Sequence, residues 1–489
     1  MSQNVIVIMS DEHDPRHSGC YGSPFVQTPH IDALAARGVR FSKAYTPSPI
    51  CVPARAAFAT GQRVHQARLW DNALPYHGQI RSWGHVLQEQ HICVESIGKL
   101  HYREVGDPAG FDVEHLPMHV MGGVGMVWAS IRDPYIRRFH QRRMLGDKIG
   151  RGPSPYTQYD HQVTSTTVDW LHQRGHTPDK PFVLYVGLVA PHFPLLAPEQ
   201  FYDLYADLPL PEVKLHPAQG HPRHPWVEAY ANFDCTEENF RSAQERDSAF
   251  RAYFGLCSYL DHNVGRILEA LRTSGLQDNT TVIYTSDHGD NLGARGLWGK
   301  STLYQESVSI PMLMAGPGIQ PGVCDTPVDL LDLFPTILQS AGLDPAPEMA
   351  DRPGQSLRDI ATSPTDANRI ILSEYHAAGS NSAAFMLRKG RWKYHHYVGH
   401  TPELFDLQSD PEELVNRATD PACQSVLADM ETALRRICDP EAMDALAKQD
   451  QRALIERLGG MEVAATLGAA GATPAPSTTH SPAHKGAPA

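Results

Sequence analysis

The chain has little of what would tie it to a membrane, a nucleic acid or an oxidising compartment. Its eight cysteines stand singly at 20, 51, 93, 235, 257, 324, 423 and 438, with no C-x-x-C pair. Over 489 residues that is too sparse for a disulfide framework, and it suits a reducing compartment, here the cytoplasm. No run approaches the roughly 20 apolar residues of a membrane-spanning helix. No basic leader or cleavage site accompanies the first apolar run, Asn4–Met9. Positive charge is also scarce: 42 Lys and Arg against 55 Asp and Glu leave a net charge of −13. Such a chain repels phosphate backbones, so nucleic-acid binding is an unattractive default. An anionic substrate would need locally concentrated cations.

What is present reads as an α/β protein. Asn4–Met9, Ile92–Ile97, Phe182–Val189, Thr280–Thr285 and Ser309–Ala315 are short apolar runs of strand type. Between them lie helical patterns: Thr28–Gly38, with Pro29 at its start and Gly38 as its stop, then Ala249–Thr273 and Asp329–Gly342. Near-continuous apolar strands alternating with helices predict a large, mostly parallel sheet sandwiched by helices. After about residue 370 the pattern shifts to short strands, 370–375, 384–388, 392–396 and 404–406, followed by a helix over 421–437. The predicted organisation is a catalytic α/β domain over 1–369, a smaller antiparallel α+β subdomain over 370–467, and a low-complexity tail over 468–489. The Ala-, Pro-, Thr- and Ser-rich tail is expected to be disordered unless a partner subunit receives it. Two long excursions from the sheet, about 103–160 and 216–239, are candidate pocket builders.

Two strands run directly into acidic groups. Asn4–Met9 leads to Asp11 and Glu12, and Thr280–Thr285 leads to Asp287 and His288. Carboxyl ends of parallel strands share one edge, where open α/β folds bind ligands, so these four could meet at one divalent cation. Carboxylates favour Ca²⁺ or Mg²⁺, while the imidazole tolerates or prefers Mn²⁺ or Zn²⁺. Lys99 and His101 follow the strand at 92–97, His192 follows the strand at 182–189, and Lys300 comes shortly after the second acidic cluster. Four cationic positions in an acidic chain describe an anion pocket. Cys51-Val52-Pro53-Ala54-Arg55 adds a C-x-P-x-R pattern. It is either an ordinary thiol beside a turn or a recognition sequence for oxidising that thiol to a formylglycine aldehyde.

These segments together resemble the type I sulfatases of the alkaline phosphatase superfamily. NVIVIMSDEH, PICVPARAAFATGQ, SIGKLHY, PFVLYVGLVAPHFP, TTVIYTSDHGDNLGARGLWGK and ELFDLQSDPEELVN occur in the family order, over residues 4 to about 420. The resemblance implies hydrolysis of a small-molecule sulfate monoester by a formylglycine hydrate derived from Cys51. Pro53 and Arg55 would belong to the signal read by a formylglycine-generating enzyme, and Arg55 would also steady the hydrate. Asp11, Glu12, Asp287, His288 and residue 51 itself would hold one metal ion, Ca²⁺ or Mn²⁺. Lys99, His101, His192 and Lys300 would surround the sulfate, with Asn72 of Trp70-Asp71-Asn72 as a further contact. Ala54 stands where many relatives carry Ser, and Glu12 where many carry Asp or Gln.

Choline sulfatases and phosphonate monoester hydrolases are the nearest-looking relatives, and many members are oligomers. A phosphonate or phosphate ester hydrolase of the same superfamily is the alternative reading. Lys99 and His101 favour the sulfatase, because the phosphonate hydrolases resemble a Tyr/Thr arrangement there. A catalytically silent metal- or anion-binding protein with unmodified Cys51 is the alternative of a different class.

Overall fold

The computed structural model describes residues 4–134, 148–177, 180–233, 237, 240–468, 472–476 and 483–484. Among these residues a nine-stranded sheet forms the centre of the molecule. Its strands, in chain order, are β1 (Asn4–Asp11), β2 (Val39–Phe41), β3 (Cys93–Lys99), β4 (Val113–Met118), β5 (Phe182–Pro191), β6 (Thr280–Ser286), β7 (Met312–Ala315) and β8 (Gly322–Cys324). A two-residue strand at Ala483–His484 lies antiparallel to β4 at one edge. The spatial order is β8-β2-β7-β6-β1-β5-β3-β4 and then that edge strand. β6, β1, β5, β3 and β4 run parallel to their neighbours in that series, whereas β7 is antiparallel to both β2 and β6.

The alternation of β1 shows why the sheet is covered on both sides. Val5, Val7 and Met9 join one fully buried cluster, and Ile6 and Ile8 join another. Successive side chains on a strand point to opposite faces, so a strand apolar at every position requires a layer on each. One layer includes α1 (Pro29–Ala36), α4 (Pro155–Arg174) and the long α5 (Ala243–Thr273). The other includes α2 (Cys51–Thr60), α3 (Trp83–Glu89) and α6 (Leu333–Ser340).

A separate four-stranded antiparallel sheet follows: β9 (Ile371–Tyr375), β10 (Ala384–Lys389), β11 (Trp392–Tyr397) and β12 (Glu403–Asp406). α7 (Gln424–Ile437) packs on it through Met430, Ala433 and Leu434. α8 (Pro440–Arg457) follows, a helix that the sequence patterns above did not single out.

Three features differ from the sequence expectation. The excursion at 103–160 contributes β4 to the main sheet and ends in α4; its residues 135–147 lie outside the described residues. The excursion at 216–239 contains a short helix, Pro225–Ala231, and most of its end also lies outside them. The third is the tail. Ala472 and Ala475 pack against the core, and residues 483–484 extend the sheet. Backbone pairing and a few small apolar contacts involve these short pieces although they carry no large apolar side chain; most of the rest of the tail lies outside the described residues.

Candidate functional site

Cys51 is the first residue of α2, and Arg55 is one turn on. The C-x-P-x-R spacing therefore puts both on one helical face. All ten residues of α2 are buried. The helix ends at Gly61, whose φ of 68° supplies the left-handed cap that favours glycine. At its other end, the Val52 N–H, one of the amides that a helix start leaves unpaired, donates to Asn72 Oδ1 at 3.1 Å.

Arg55 is the hub of the buried charges. Its Nε donates to Asp287 Oδ2 at 2.9 Å and its Nη2 to Asp11 Oδ2 at 3.0 Å. Its Nη1 donates to the Lys99 carbonyl at 3.0 Å and lies 2.8 Å from the Tyr185 hydroxyl. Lys99 Nζ lies 2.5 Å from Asp11 Oδ2. Cys51 Sγ is 3.2 Å from His288 Nε2 and 3.8 Å from Asp11 Oδ1. The Glu12 and His288 amides both donate to Asp287 Oδ1, at 3.2 and 2.9 Å. Lys300 Nζ donates to Glu12 Oε2 at 3.1 Å, and His192 Nε2 lies 3.5 Å from the same oxygen. All of the predicted residues except Asn72 thus lie in one buried charged cluster or border it. Asn72 lines the adjoining cavity with Cys51, Lys99, His101, His192 and Lys300.

The strand ends account for this convergence. β1, β3, β5 and β6 are adjacent and parallel, so Asp11, Lys99, His192, Asp287 and His288 emerge at one edge. Close packing between strands is needed there: a Cβ at Gly98, in β3, would lie 2.2 Å from the Gly187 carbonyl of β5. Buried Asp160 on α4 accepts the amides of Val189 and Ala190 at 2.8 and 2.7 Å, which fixes the end of β5 that carries His192. Two site residues hold left-handed backbone, Glu12 at φ 69° and His101 at φ 58°. Such conformations cost of order 1–3 kcal/mol each and concentrate where function holds them.

Electrostatics separates the two acids of the first cluster. Burial pushes Asp11 up, but Lys99, His192 and Arg55 outweigh it and hold the carboxyl well below its ordinary range. Burial raises Glu12 as well; Lys300 and His288 oppose that rise without reversing it. Burial, reinforced by Lys300, lowers His192 well below the usual imidazole value, and burial with Lys99 and Arg55 does the same to His101. Burial thus favours the neutral form of both rings. Burial and then the Asp11 charge push the Cys51 thiol up to about 12, so the unmodified side chain is a thiol there, not a nucleophilic thiolate.

The donor set fits a divalent cation. One ligand atom each from Asp11, Cys51, Asp287 and His288 lies within 4.8 Å of the others, and Asp11, Glu12 and His192 form a second such group. Among the described residues Glu12 Oε1 is buried without a hydrogen-bond partner, which leaves a carboxyl oxygen available to a cation. Carboxylate oxygens with one imidazole suit a hard or borderline ion.

The cavity beside this cluster has a volume of about 160 Å³. Its lining combines Lys99, His101, His192 and Lys300 with Ile50, Val120, Met126, Tyr156, Phe193 and Tyr375, and it includes no carboxylate among the described residues. Sequence reasoning missed this apolar half. It also missed Thr473: His101 Nε2 lies 2.8 Å from the Thr473 hydroxyl, and the Tyr156 hydroxyl donates to the Thr473 carbonyl. The predicted low-complexity tail therefore reaches the mouth of the site.

A family model described as "Sulfatase" matches residues 3–343. The chain belongs to the sulfatase family. A second model, the C-terminal region of N-sulphoglucosamine sulphohydrolase, matches residues 293–439. The chain is 33% identical over 467 residues to a choline-sulfatase of Rhizobium meliloti, covering 92% of this chain and 89% of that protein. It is 32% identical to arylsulfatase K of Homo sapiens, covering 85% and 78%. The fold is similar to that of the phosphonate monoester hydrolase of Agrobacterium radiobacter, with TM-score 0.72, 21% identity and coverage of 91% and 96%. It is also similar to a 2-O GAG sulfatase, with TM-score 0.68, 23% identity and coverage of 93% and 94%. This sulfatase is a sulfuric ester hydrolase. None of the helices among its described residues is long and apolar enough to cross a membrane.

Proposed function

We propose that this sulfatase cleaves a small-molecule sulfate monoester through a formylglycine hydrate at position 51, beside one divalent cation. The observation that carries the reading is Cys51 itself. It heads a buried helix between Asp11 and His288, with Arg55 bridging Asp11 to Asp287. Asp11, Glu12, Asp287, His288 and residue 51 would hold the cation, Ca²⁺ or Mn²⁺. When bound, that ion supplies the positive charge that acidifies a nearby hydroxyl and offsets the buried carboxylates.

The remaining steps belong to the chain's own residues. Asp287 takes the proton of the attacking hydroxyl of the hydrate. Lys99 and Lys300 neutralise the sulfuryl oxygens as charge shifts onto them, with His101 and His192 beside them. His192 or Lys300 delivers the proton that the departing alcohol requires. The alcohol leaves as the sulfur–oxygen bond to it breaks and the bond to the residue 51 oxygen forms. His101 then removes the proton of the second hydroxyl, so that sulfate is expelled and the aldehyde is restored. Thr473, in contact with His101, is placed to orient that ring. A serine or cysteine has no second hydroxyl on the same carbon and would have to await water at a crowded sulfur.

The apolar half of the cavity supports an aryl or alkyl alcohol as the leaving group. Asn72 would be a further sulfate contact. Maturation requires a formylglycine-generating enzyme. The seven described cysteines are all unpaired, which fits a reducing, cytoplasmic setting. The test is a panel of 4-nitrophenyl sulfate, choline sulfate and a phosphonate monoester, compared by kcat/KM. The aryl sulfate should lead, with stoichiometric release of inorganic sulfate. A phosphonate monoester hydrolysed faster than every sulfate would overturn the assignment.

A further inference from the structure

We propose that Gln451, on α8 and outside the pocket, is the positioning residue for the leaving-group half of the site. The proposal rests on the sulfate-ester reading above and deepens it. Gln451 is fully buried and uses its amide completely. Its Nε2 donates to Asp71 Oδ2 at 2.7 Å and to the His376 carbonyl at 3.0 Å. Its Oε1 accepts the amides of Arg132 and Asp133, each at 3.2 Å. These partners come from three separate segments, and each segment contributes to the cavity wall.

Asp71 precedes Asn72, whose side chain lines the cavity and receives the Val52 amide at the start of α2. Arg132 lies two residues after Ser130, and His376 lies between Tyr375 and Ala378; all three flanking residues line the cavity. The second and third segments also touch directly, because the Ala378 amide donates to the Ser130 carbonyl at 2.9 Å. One side-chain amide thus ties together three loops that no secondary structure joins.

The surroundings keep Gln451 in place. On the same helix, Asp450 accepts Trp70 Nε1 at 2.7 Å and Arg68 Nε at 2.9 Å. Asp444 Oδ1 lies 2.7 Å from Arg132 Nη1 and accepts the Ala383 amide at 2.6 Å. The Trp70 ring meets His376 edge-on at 4.7 Å. α8 therefore grips the pocket wall from behind along successive turns, and Gln451 is its innermost grip. The sulfate half has bonds of its own: Asp11, Arg55, Lys99 and Asp287 bond to one another and to strand ends, and Asn72 is its link to the loops that Gln451 holds. A buried amide with four partners cannot be replaced without leaving several of them unsatisfied, and loops so released lose their registration.

The test uses the full-length protein with Gln451→Leu and Gln451→Glu. KM and kcat are measured for 4-nitrophenyl sulfate, the inhibition constant is measured for inorganic sulfate, and both variants are crystallised. For Gln451→Leu, KM should rise about tenfold while kcat stays within about threefold, and the sulfate constant should rise by less than KM, because Asn72 alone links the released loops to the anion. The crystal structure should show Asn72, Ser130 and Ala378 displaced against unmoved Cys51, Asp11 and Asp287.

Gln451→Glu keeps the acceptor for Arg132 and Asp133 but loses both donors. Its carboxylate also faces Asp71 and the His376 carbonyl, so it should displace the Asn72 and Ala378 segments while Ser130 stays, with a rise in KM, and it remains informative if the leucine variant does not fold. A purely structural role predicts otherwise: kcat falls for lack of folded enzyme, while KM and the sulfate constant hold. That pattern, or a variant structure with all three segments in place, would overturn the proposal. If the wild type hydrolyses no sulfate ester, the functional reading fails. The crystal structures then decide the positioning role alone, by whether the three segments move.

Discussion

The two halves of the cavity are built on opposite principles. The charged half is carried by ends of adjacent strands and by the first turn of a buried helix. There each ionic group is held by another: Arg55 by Asp11 and Asp287, Lys99 by Asp11, Lys300 by Glu12. The apolar half is carried by loops from distant parts of the chain, gathered by α8 and touched by the tail. Rigid strand ends suit groups whose positions must match a tetrahedral anion. Loops suit the part of a pocket that distinguishes one alcohol from another. Substitutions in the first half should therefore act on turnover, and substitutions in the second on recognition.

The sharpest way to break that division is at residue 51. Cys51→Ala should lower kcat/KM by about 10⁴-fold or more, with the thermal midpoint within a few degrees of wild type, because one buried sulfur is lost and the nucleophile with it. Exhaustive chelation should have nearly as large an effect on rate. It should also lower the thermal midpoint, since Asp11, Glu12, Asp287 and His288 crowd together without their cation, and restoring Ca²⁺ or Mn²⁺ should recover both. Full activity after chelation would remove the metal from the account. On the other side of the cavity, Met126→Ala should raise KM for 4-nitrophenyl sulfate by about tenfold and leave kcat within about threefold. A large loss of kcat with unchanged KM would erase the distinction between the halves. The smallest effect is expected at Thr473→Ala. That change frees His101 without removing it and should lower kcat by about threefold, measured on the same substrate.

How much of this was legible in the sequence follows the same division. Asp11, Lys99, His192 and Asp287 could be placed together because each stands at or just past the end of an apolar run, and parallel strands deliver such positions to one edge. Arg55 could be paired with Cys51 from a four-residue spacing. Tyr375, Met126 and Ser130 could not be found that way, because no periodicity states which loops meet across a cavity. Gln451 sits in a helix rich in Ala, Asp, Glu and Arg, where a polar residue reads as solvated, and only the tertiary structure shows it fully buried. The tail is a different case. Its composition argued for disorder, but Thr473 bonds through a hydroxyl and a carbonyl, for which bulk is irrelevant.

Mass measurement of the tryptic peptide Ala44–Arg55 from catalytically active protein tests the central claim most directly. Conversion of the Cys51 side chain to an aldehyde predicts a deficit of about 18 Da relative to the encoded peptide. An active preparation in which that peptide carries the intact thiol throughout would contradict the account.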